Sequence, residues 1–300
     1  MKLNPLFLVP FLFCSGCGRE PITPTSSCKS WSYRIHVIDV EASIGEAILI
    51  EGANGKIMLI DAGYASSGRD VVAPYLKSLG ITHIDFIVAS HYHEDHIGGI
   101  PAVIETLGQD SIFAVYDRGG SYSGRPYEYY VEAVGAKRRT IERGDTLWFS
   151  SSAYAACIGV NGCGLESSDE NARSIILHIS LDGLDMLTAG DLPSSVEELI
   201  TERCSDVEIY KVNHHGSGGS SSNPFLLSIS PEVSIISVGV HSTLPDEATI
   251  ERLVALSDVY ITRDNGTVVV TYPASEANKF VINTEDGIER VYPLDDDSAK

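Results

Sequence analysis

Two series of short apolar strands, interleaved with amphipathic helical stretches and broken at Gly, Asn and Asp turns, predict a layered α/β protein. Each series offers one sheet and its covering helices, so the two halves are expected to stack sheet on sheet as a four-layer αββα sandwich. No clear repeat or convincing linker interrupts residues 33–292, which predicts one domain over that span. With 300 residues and 43% apolar content the chain is long enough to bury a core.

The elements follow in order. Strands are expected at Arg34 to Val40, Glu46 to Glu51, Lys56 to Ile60 and Phe86 to Ala89, the last stopping at a histidine cluster. Apolar residues at helical spacing predict helices from Gly68 to Leu79 and from Ile97 to Leu107. The Tyr- and Arg-rich stretch Ser121 to Arg143 reads as an insertion containing a helix. The second strand series comprises Ser174 to Ser180, Asp185 to Thr188, Val207 to Val212, Val233 to Val238, Val259 to Thr262 and Thr267 to Tyr272. Helices at Ser194 to Glu202 and Asp246 to Leu256 lie between them, and residues 293–300 form an acidic tail.

The first 16 residues carry Lys2, an apolar run from Pro5 to Phe13 and then small residues, the layout of a secretory signal too short to span a bilayer. Ser15-Gly16-Cys17 resembles the end of a bacterial lipobox, which implies an exported chain lipid-anchored to a bacterial membrane through Cys17. Cys14 departs from that pattern, and ordinary cleavage to a periplasmic or secreted form is the alternative. Residues 17–32, rich in Pro, Ser and Thr, read as a tether. Beyond Cys14 and Cys17, Cys28, Cys157, Cys163 and Cys204 allow three pairings in an oxidising compartment. Cys157 with Cys163 is the favoured bridge, leaving Cys28 to tie the tether to Cys204, against the alternative of four unpaired thiols; none has the spacing of a zinc site.

Acidic residues outnumber basic ones 41 to 21, and the formal charge of -20 repels nucleic-acid backbones at long range. Broad nucleic-acid affinity is therefore disfavoured, although a single phosphate held by cations is not. A small-molecule or cell-surface ester remains compatible with the charge.

The chemistry concentrates in FIVASHYHEDHIGGI, where an apolar strand ends at Ser90 and His91, His93, Asp95 and His96 crowd the turn that follows. Imidazole nitrogen and carboxylate oxygen are favoured ligands of Zn2+ and related divalent ions, and a loop after a buried strand can aim them into one cleft. The alternative, a solvated His-rich loop, fits poorly with a motif seated at a strand end and backed by Gly98-Gly99.

SHYHEDHIGG resembles the HxHxDH signature of the metallo-β-lactamase superfamily. KIMLIDAG, LTAGD, IYKVNHHGS, IISVG and VYITRDNGTVVV extend the resemblance, in order, toward the metallo-hydrolase domain of ComEC-type competence proteins and related choline-phosphate esterases. The resemblance implies the metallo-β-lactamase fold and a metal-dependent hydrolase using a metal-bound hydroxide on a phosphodiester or related ester. It implies two divalent ions, Zn2+ or Mn2+. His91 and His93 would serve the first metal and Asp95, His96 and His215 the second, with Asp191 bridging and Asp61 supporting the loop from behind. The alternative for Asp191 is an N-cap of the following helix, a role that can coexist with bridging. Asp95 and His214 form the expected catalytic set, with His214 donating to substrate or protonating a leaving oxygen, unless its role is structural.

Two departures bear on this. The superfamily's usual extra histidine upstream of the bridging aspartate is missing, which leaves Asp169, Glu170 or Asn171 as substitutes. VIDVEASIGEAILI places Glu46 where the ComEC-like turn has aspartate, and Leu244 stands where a histidine precedes the proline, with His241 as possible compensation. His36 and His178 lie inside strands and His83 beside a turn, as structural residues would. Tyr122, Tyr127, Tyr129 and Tyr130 could line a substrate entrance or simply pack the core. The competing functions are β-lactam or lactone hydrolysis on the same fold, and a surface binding protein that has lost turnover.

Overall fold

The computed structural model describes residues 31–273 and 278–294. The expected signal and lipid anchor, the tether up to residue 30, Cys28 and the tail from residue 295 lie outside the described residues.

The first half supplies β1 (Trp31–Val37), β2 (Ile48–Glu51), β3 (Ile57–Ile60), β4 (Ile84–Val88), β5 (Ile112–Asp117) and β6 (Arg138–Thr140). The second supplies β7 (Thr146–Trp148), β8 (Ala153–Gly159), β9 (Ile176–Leu181), β10 (Leu184–Thr188), β11 (Ile209–Lys211), β12 (Val233–Ile236) and β13 (Asp258–Ile261), followed by β14 (Val268–Pro273), β15 (Lys279–Thr284) and β16 (Glu289–Pro293). They form a 9-stranded sheet in the order β16-β15-β14-β1-β2-β3-β4-β5-β6 and a 7-stranded sheet in the order β13-β12-β11-β10-β9-β8-β7. The last three strands thus return to the first sheet, with β14 antiparallel to β1.

Alternation along the strands sorts the apolar residues into layers. Ile35, Ile48, Ile50, Ile60 and Val88 of one sheet meet Ala155, Leu177, Met186, Ile209 and Val233 of the other in a core between the sheets. Leu49 and Leu59 point the opposite way, under Leu76, Ile97 and Val103 of the outer helices. On the far side, Leu187 and Ile236 are covered by Val196, Phe225 and Leu253. Three apolar layers between four layers of structure give the αββα sandwich that the sequence predicts.

Some elements differ in detail. The first helical run extends from Ala65 to Ser78 and contains a π-helical turn at Gly68–Val72. The second expected helix splits into Glu94–Ile97 and Ile100–Leu107 around Gly98-Gly99. A Cβ on Gly99 would lie 2.0 Å from the Ala62 carbonyl oxygen, so only glycine lets this helix approach the loop behind β3. The insertion contains the helix Arg125–Val134 and the edge strand β6. Strands β5, β7, β8, β15 and β16 are additions to the sequence reading; β8, AYAACIG, is built of small residues with a weak hydrophobic signature.

Cys157, Cys163 and Cys204 are free thiols, so the expected Cys157–Cys163 bridge is not formed. Cys157 points into the core between the sheets, whereas Cys163 packs against the cluster on the outer face. Among the described residues, no helix is long and apolar enough to cross a membrane.

Candidate metal centre

Three strand ends aim at one place. The loop after β4 carries His91, His93, Asp95 and His96, the turn after β10 carries Asp191, and the turn after β11 carries His214 and His215. Asp95, His96, Asp191 and His215 each offer a ligand atom within 4.8 Å of the others, and His91, His93 and Asp191 form a second such group. Asp191 belongs to both. Its Oδ1 lies 3.2 Å from His96 Nε2 and 3.4 Å from His215 Nε2, and its Oδ2 lies 3.9 Å from His91 Nε2. Gly190, at φ 52, allows the close approach: a Cβ there would sit 2.7 Å from Ser90 Oγ.

A hydrogen-bond network behind the cluster orients the imidazoles. Asp61, fully buried, accepts from Ser90 N at 2.8 Å, Ser90 Oγ at 2.6 Å and His96 Nδ1 at 2.7 Å. Because Ser90 Oγ gives its proton to Asp61, it can accept from His91 Nδ1 at 3.1 Å. His215 Nδ1 donates to the Ser237 carbonyl at 2.9 Å. Each Nδ1 is therefore a donor, and each Nε2 turns a lone pair toward the cluster. Ser90 links Asp61 to His91 in this network, and its position at the strand end beside the motif is the only sign of that in the sequence.

The chemistry of the donors fits divalent cations. His96 Nε2, His215 Nε2 and Asp191 Oδ1 are buried and make no hydrogen bond. Leaving such a group unsatisfied costs about 1–3 kcal/mol, so three converging on one point describe a site built for a ligand. Burial alone lowers a histidine, and His91 is held well below its ordinary range by burial and by the neighbouring His96. For His96 and His215 burial acts in the same direction, but the facing carboxylates, Asp191 foremost, outweigh it and raise both. Asp191 is held well below the carboxylate range against its burial, by His215 and His96. The group thus stabilises positive charge among its carboxylates.

The remaining expected residues separate clearly. His214 Nε2 lies 3.7 Å from Asp191 Oδ2 and 3.4 Å from Asn171 Nδ2, with about a third of its side chain exposed, and it stands outside both ligand groups. Of the three substitutes for the missing histidine, Asp169 caps the Asn171 N–H and Glu170 is committed to Arg118, at 2.6 and 2.7 Å, and to the Tyr92 N–H. Only Asn171 faces the site, through His214. Arg118 lies 4.1 Å over the Tyr92 ring, so the Arg118–Glu170 pair supports the middle of the histidine loop from behind. Glu46, the departure at the first turn, is buried and accepts from Lys211 Nζ at 2.6 Å. His241 is exposed and Leu244 packs against the outer cluster, so neither joins the centre.

His36 is buried between Glu51 and Tyr75, His178 lies near Asp185, and His83 is exposed beside Asp85, as structural residues would be. Of the tyrosines, Tyr122 and Tyr127 line a cleft of about 190 Å3 with His93 and Glu94; Tyr130 is buried and Tyr129 is exposed.

Residues 41–147 match the family model of the metallo-beta-lactamase superfamily. The chain is similar to competence protein ComA of Neisseria gonorrhoeae, at 28% identity over 71% of this chain and 28% of the relative. It is similar also to ComE operon protein 3 of Bacillus subtilis, at 25% identity over 69% of this chain and 27% of the relative. The chain therefore spans about a quarter of the length of these relatives. Among solved structures, the metallo-beta-lactamase fold protein YhfI of Bacillus subtilis aligns at 12% identity and TM-score 0.51, covering 78% of this chain and 98% of that one. A mutant of the CmlA beta-hydroxylase aligns at 11% identity and TM-score 0.53, covering 84% and 55%.

Fold and site define a protein of the metallo-β-lactamase architecture with a candidate metal-binding His/Asp cluster. Its sequence is similar to that of the competence proteins.

Proposed function

We infer that the chain is a metal-dependent hydrolase acting on a phosphodiester or related ester. The observation that carries this reading is the sharing of Asp191 between two buried donor groups, one of which presents three unpartnered ligand atoms. His91, His93 and Asp191 would hold one divalent cation; Asp95, His96, His215 and Asp191 would hold the other. The chemistry supplied at these groups by divalent cations would be hydroxide available near neutral pH and an offset to negative charge on the reacting oxygens.

The chain's own residues do the rest. Asp61, Ser90 and the Ser237 carbonyl keep the imidazole lone pairs aligned before any ligand arrives. His214, partly exposed and outside the ligand groups, is placed to donate to a substrate oxygen or to protonate the leaving oxygen. The cleft beside His93, with Tyr122 and Tyr127, offers apolar ring faces to the organic part of the ester. The preference for a phosphodiester is supported by the resemblance to the competence proteins. The acidic surface favours a small or cell-surface ester over extended nucleic acid. Export and lipid anchoring through Cys17 remain part of this proposal.

The test is metal analysis of the purified mature chain alongside a panel of bis-p-nitrophenyl phosphate, nitrocefin and a lactone. The expected result is more than one tightly held Zn2+ or Mn2+ per chain, with turnover of the phosphodiester. Nitrocefin or lactone turnover without phosphodiester turnover would replace the substrate class. Fewer than one cation per chain, with no activity on adding Zn2+ or Mn2+, would leave a binding protein in place of an enzyme.

A further inference from the structure

His214 and His215 occupy consecutive left-handed backbone positions, at φ 51 and φ 53. This conformation costs an L residue about 1–2 kcal/mol, so two in succession persist only where the surroundings impose them. Part of the restraint is local to the histidines: the His214 N–H donates to the Gly190 carbonyl at 3.0 Å, and His215 Nδ1 donates to the Ser237 carbonyl at 2.9 Å. The remainder converges on a carboxylate with no assigned role.

Glu197 is fully buried in the helix Ser194–Ile200, little more than one turn beyond Asp191. Its Oε1 accepts from Asn213 Nδ2 at 2.8 Å and from the Ser221 N–H at 2.7 Å, while Oε2 accepts from the Ser222 N–H at 2.9 Å. Asn213 immediately precedes the strained pair, and Ser221 and Ser222 lie where the glycine-serine loop returns. Tyr210 closes the ring: its hydroxyl accepts from the Asn213 N–H at 3.0 Å and lies 2.9 Å from Ser221 Oγ. A buried carboxylate with three donors is the kind of polar network that specifies one backbone arrangement. Here it ties the residue before the two histidines, and the loop after them, to the helix Ser194–Ile200 that follows Asp191.

We propose that Glu197 is a positioning residue for the metal centre, holding the left-handed His214–His215 turn in register with Asp191 through Asn213, Ser221 and Ser222. The proposal rests on the reading of that centre as a cation site. Glu197 stands outside both ligand groups. Its effect passes through the direction of His215 Nε2, so Zn2+ affinity is the quantity it controls.

The experiment titrates metal-depleted full-length protein with Zn2+ against a chromophoric chelator, for wild type, Glu197→Gln, Asn213→Ser and Glu198→Gln. Glu198 is the exposed neighbour on the same helix and serves as control. Gln cannot accept from all three donors, and Ser at 213 carries its donor one bond closer to the backbone than the Asn amide, which draws it away from Glu197 while leaving Glu197 bonded to the loop. Both are expected to weaken Zn2+ binding at one site by about 10- to 100-fold, the range for partners that orient metal ligands, with Glu198→Gln unchanged. Near-UV circular dichroism establishes folding; should Glu197→Gln fail to fold, Asn213→Ser decides. A folded variant with a lower melting temperature but wild-type Zn2+ affinity overturns the positioning role. Wild type that binds no Zn2+ sinks the cation site itself and this proposal with it, an outcome distinct from the first.

Discussion

Asp191 divides its carboxylate between two histidine groups, Oδ1 at 3.2 Å from His96 Nε2 and Oδ2 at 3.9 Å from His91 Nε2. Donors from the loop after β4 and the turn after β11 meet through this one side chain. Replacing it with Asn keeps the volume and removes the charge both groups use. Asp191→Asn is expected to lower cation content on both sides and to reduce kcat by about 10²- to 10³-fold or more, the scale of losing an aligned electrostatic partner. Elemental analysis and steady-state kinetics on one preparation check both parts. Full cation content in the variant would remove Asp191 from the site.

His214 and His215 are neighbours with different surroundings, and their substitutions should separate. His215 is buried with an unpartnered Nε2, so His215→Gln is expected to lose cation. His214 stands outside the ligand groups, so His214→Gln should retain wild-type cation content while kcat falls by about 10²- to 10⁴-fold, the contribution of a positioned proton donor. If His214→Gln also sheds metal, the division of roles between the two is wrong.

Asp61 stands outside both ligand groups, yet it fixes both Ser90 and His96. Asp61→Asn leaves a group of the same shape that can no longer accept at every contact. Zn2+ affinity is expected to drop by about 10- to 100-fold, measured by chelator competition, and excess Zn2+ should restore much of the turnover. A variant with wild-type affinity would show that His96 is oriented by other means.

Glu208, immediately before β11 and at the end of that strand opposite the histidine turn, is buried, and its carboxyl is pushed up from 4.5 to about 7, by burial first and by Asp185 and Glu232 in addition. A folded value above the unfolded one means that the native state keeps a proton the unfolded chain releases, so stability falls as pH rises between about 4.5 and 7. Glu208→Gln removes that penalty. Its melting temperature relative to wild type should rise between pH 5 and pH 8, by an amount equivalent to about 1–3 kcal/mol. A difference that stays constant over that range would mean that Glu208 does not titrate there.

Much of the site was readable from the sequence because its ligands sit where pattern and chemistry coincide. His91, His93, Asp95 and His96 follow an apolar strand within one short loop, and Asp191 follows another; polar donors crowded at the end of a buried strand stand out against the hydrophobic background. The two sheets were readable for the same reason, since continuous apolar runs mark β2 and β3 and alternating burial marks β9. Strand β8 was not, because Ala, Cys and Gly fill the core without a strong apolar signal. The bridge between Cys157 and Cys163 was expected from their nearness in sequence, whereas in the fold they are divided between the two faces of the second sheet.

The kinds of donor, their order along the chain and the alternation that packs them into two sheets were determined by the sequence itself, since each depends on residues within a few positions of one another. Which oxygen of Asp191 meets which histidine, that Glu170 belongs to Arg118, and that Glu197 grips the turn before His214 were decided only by tertiary structure. Those relationships join residues far apart in the chain, and their distances and directions exist only once the sheets have stacked and the strand ends have converged.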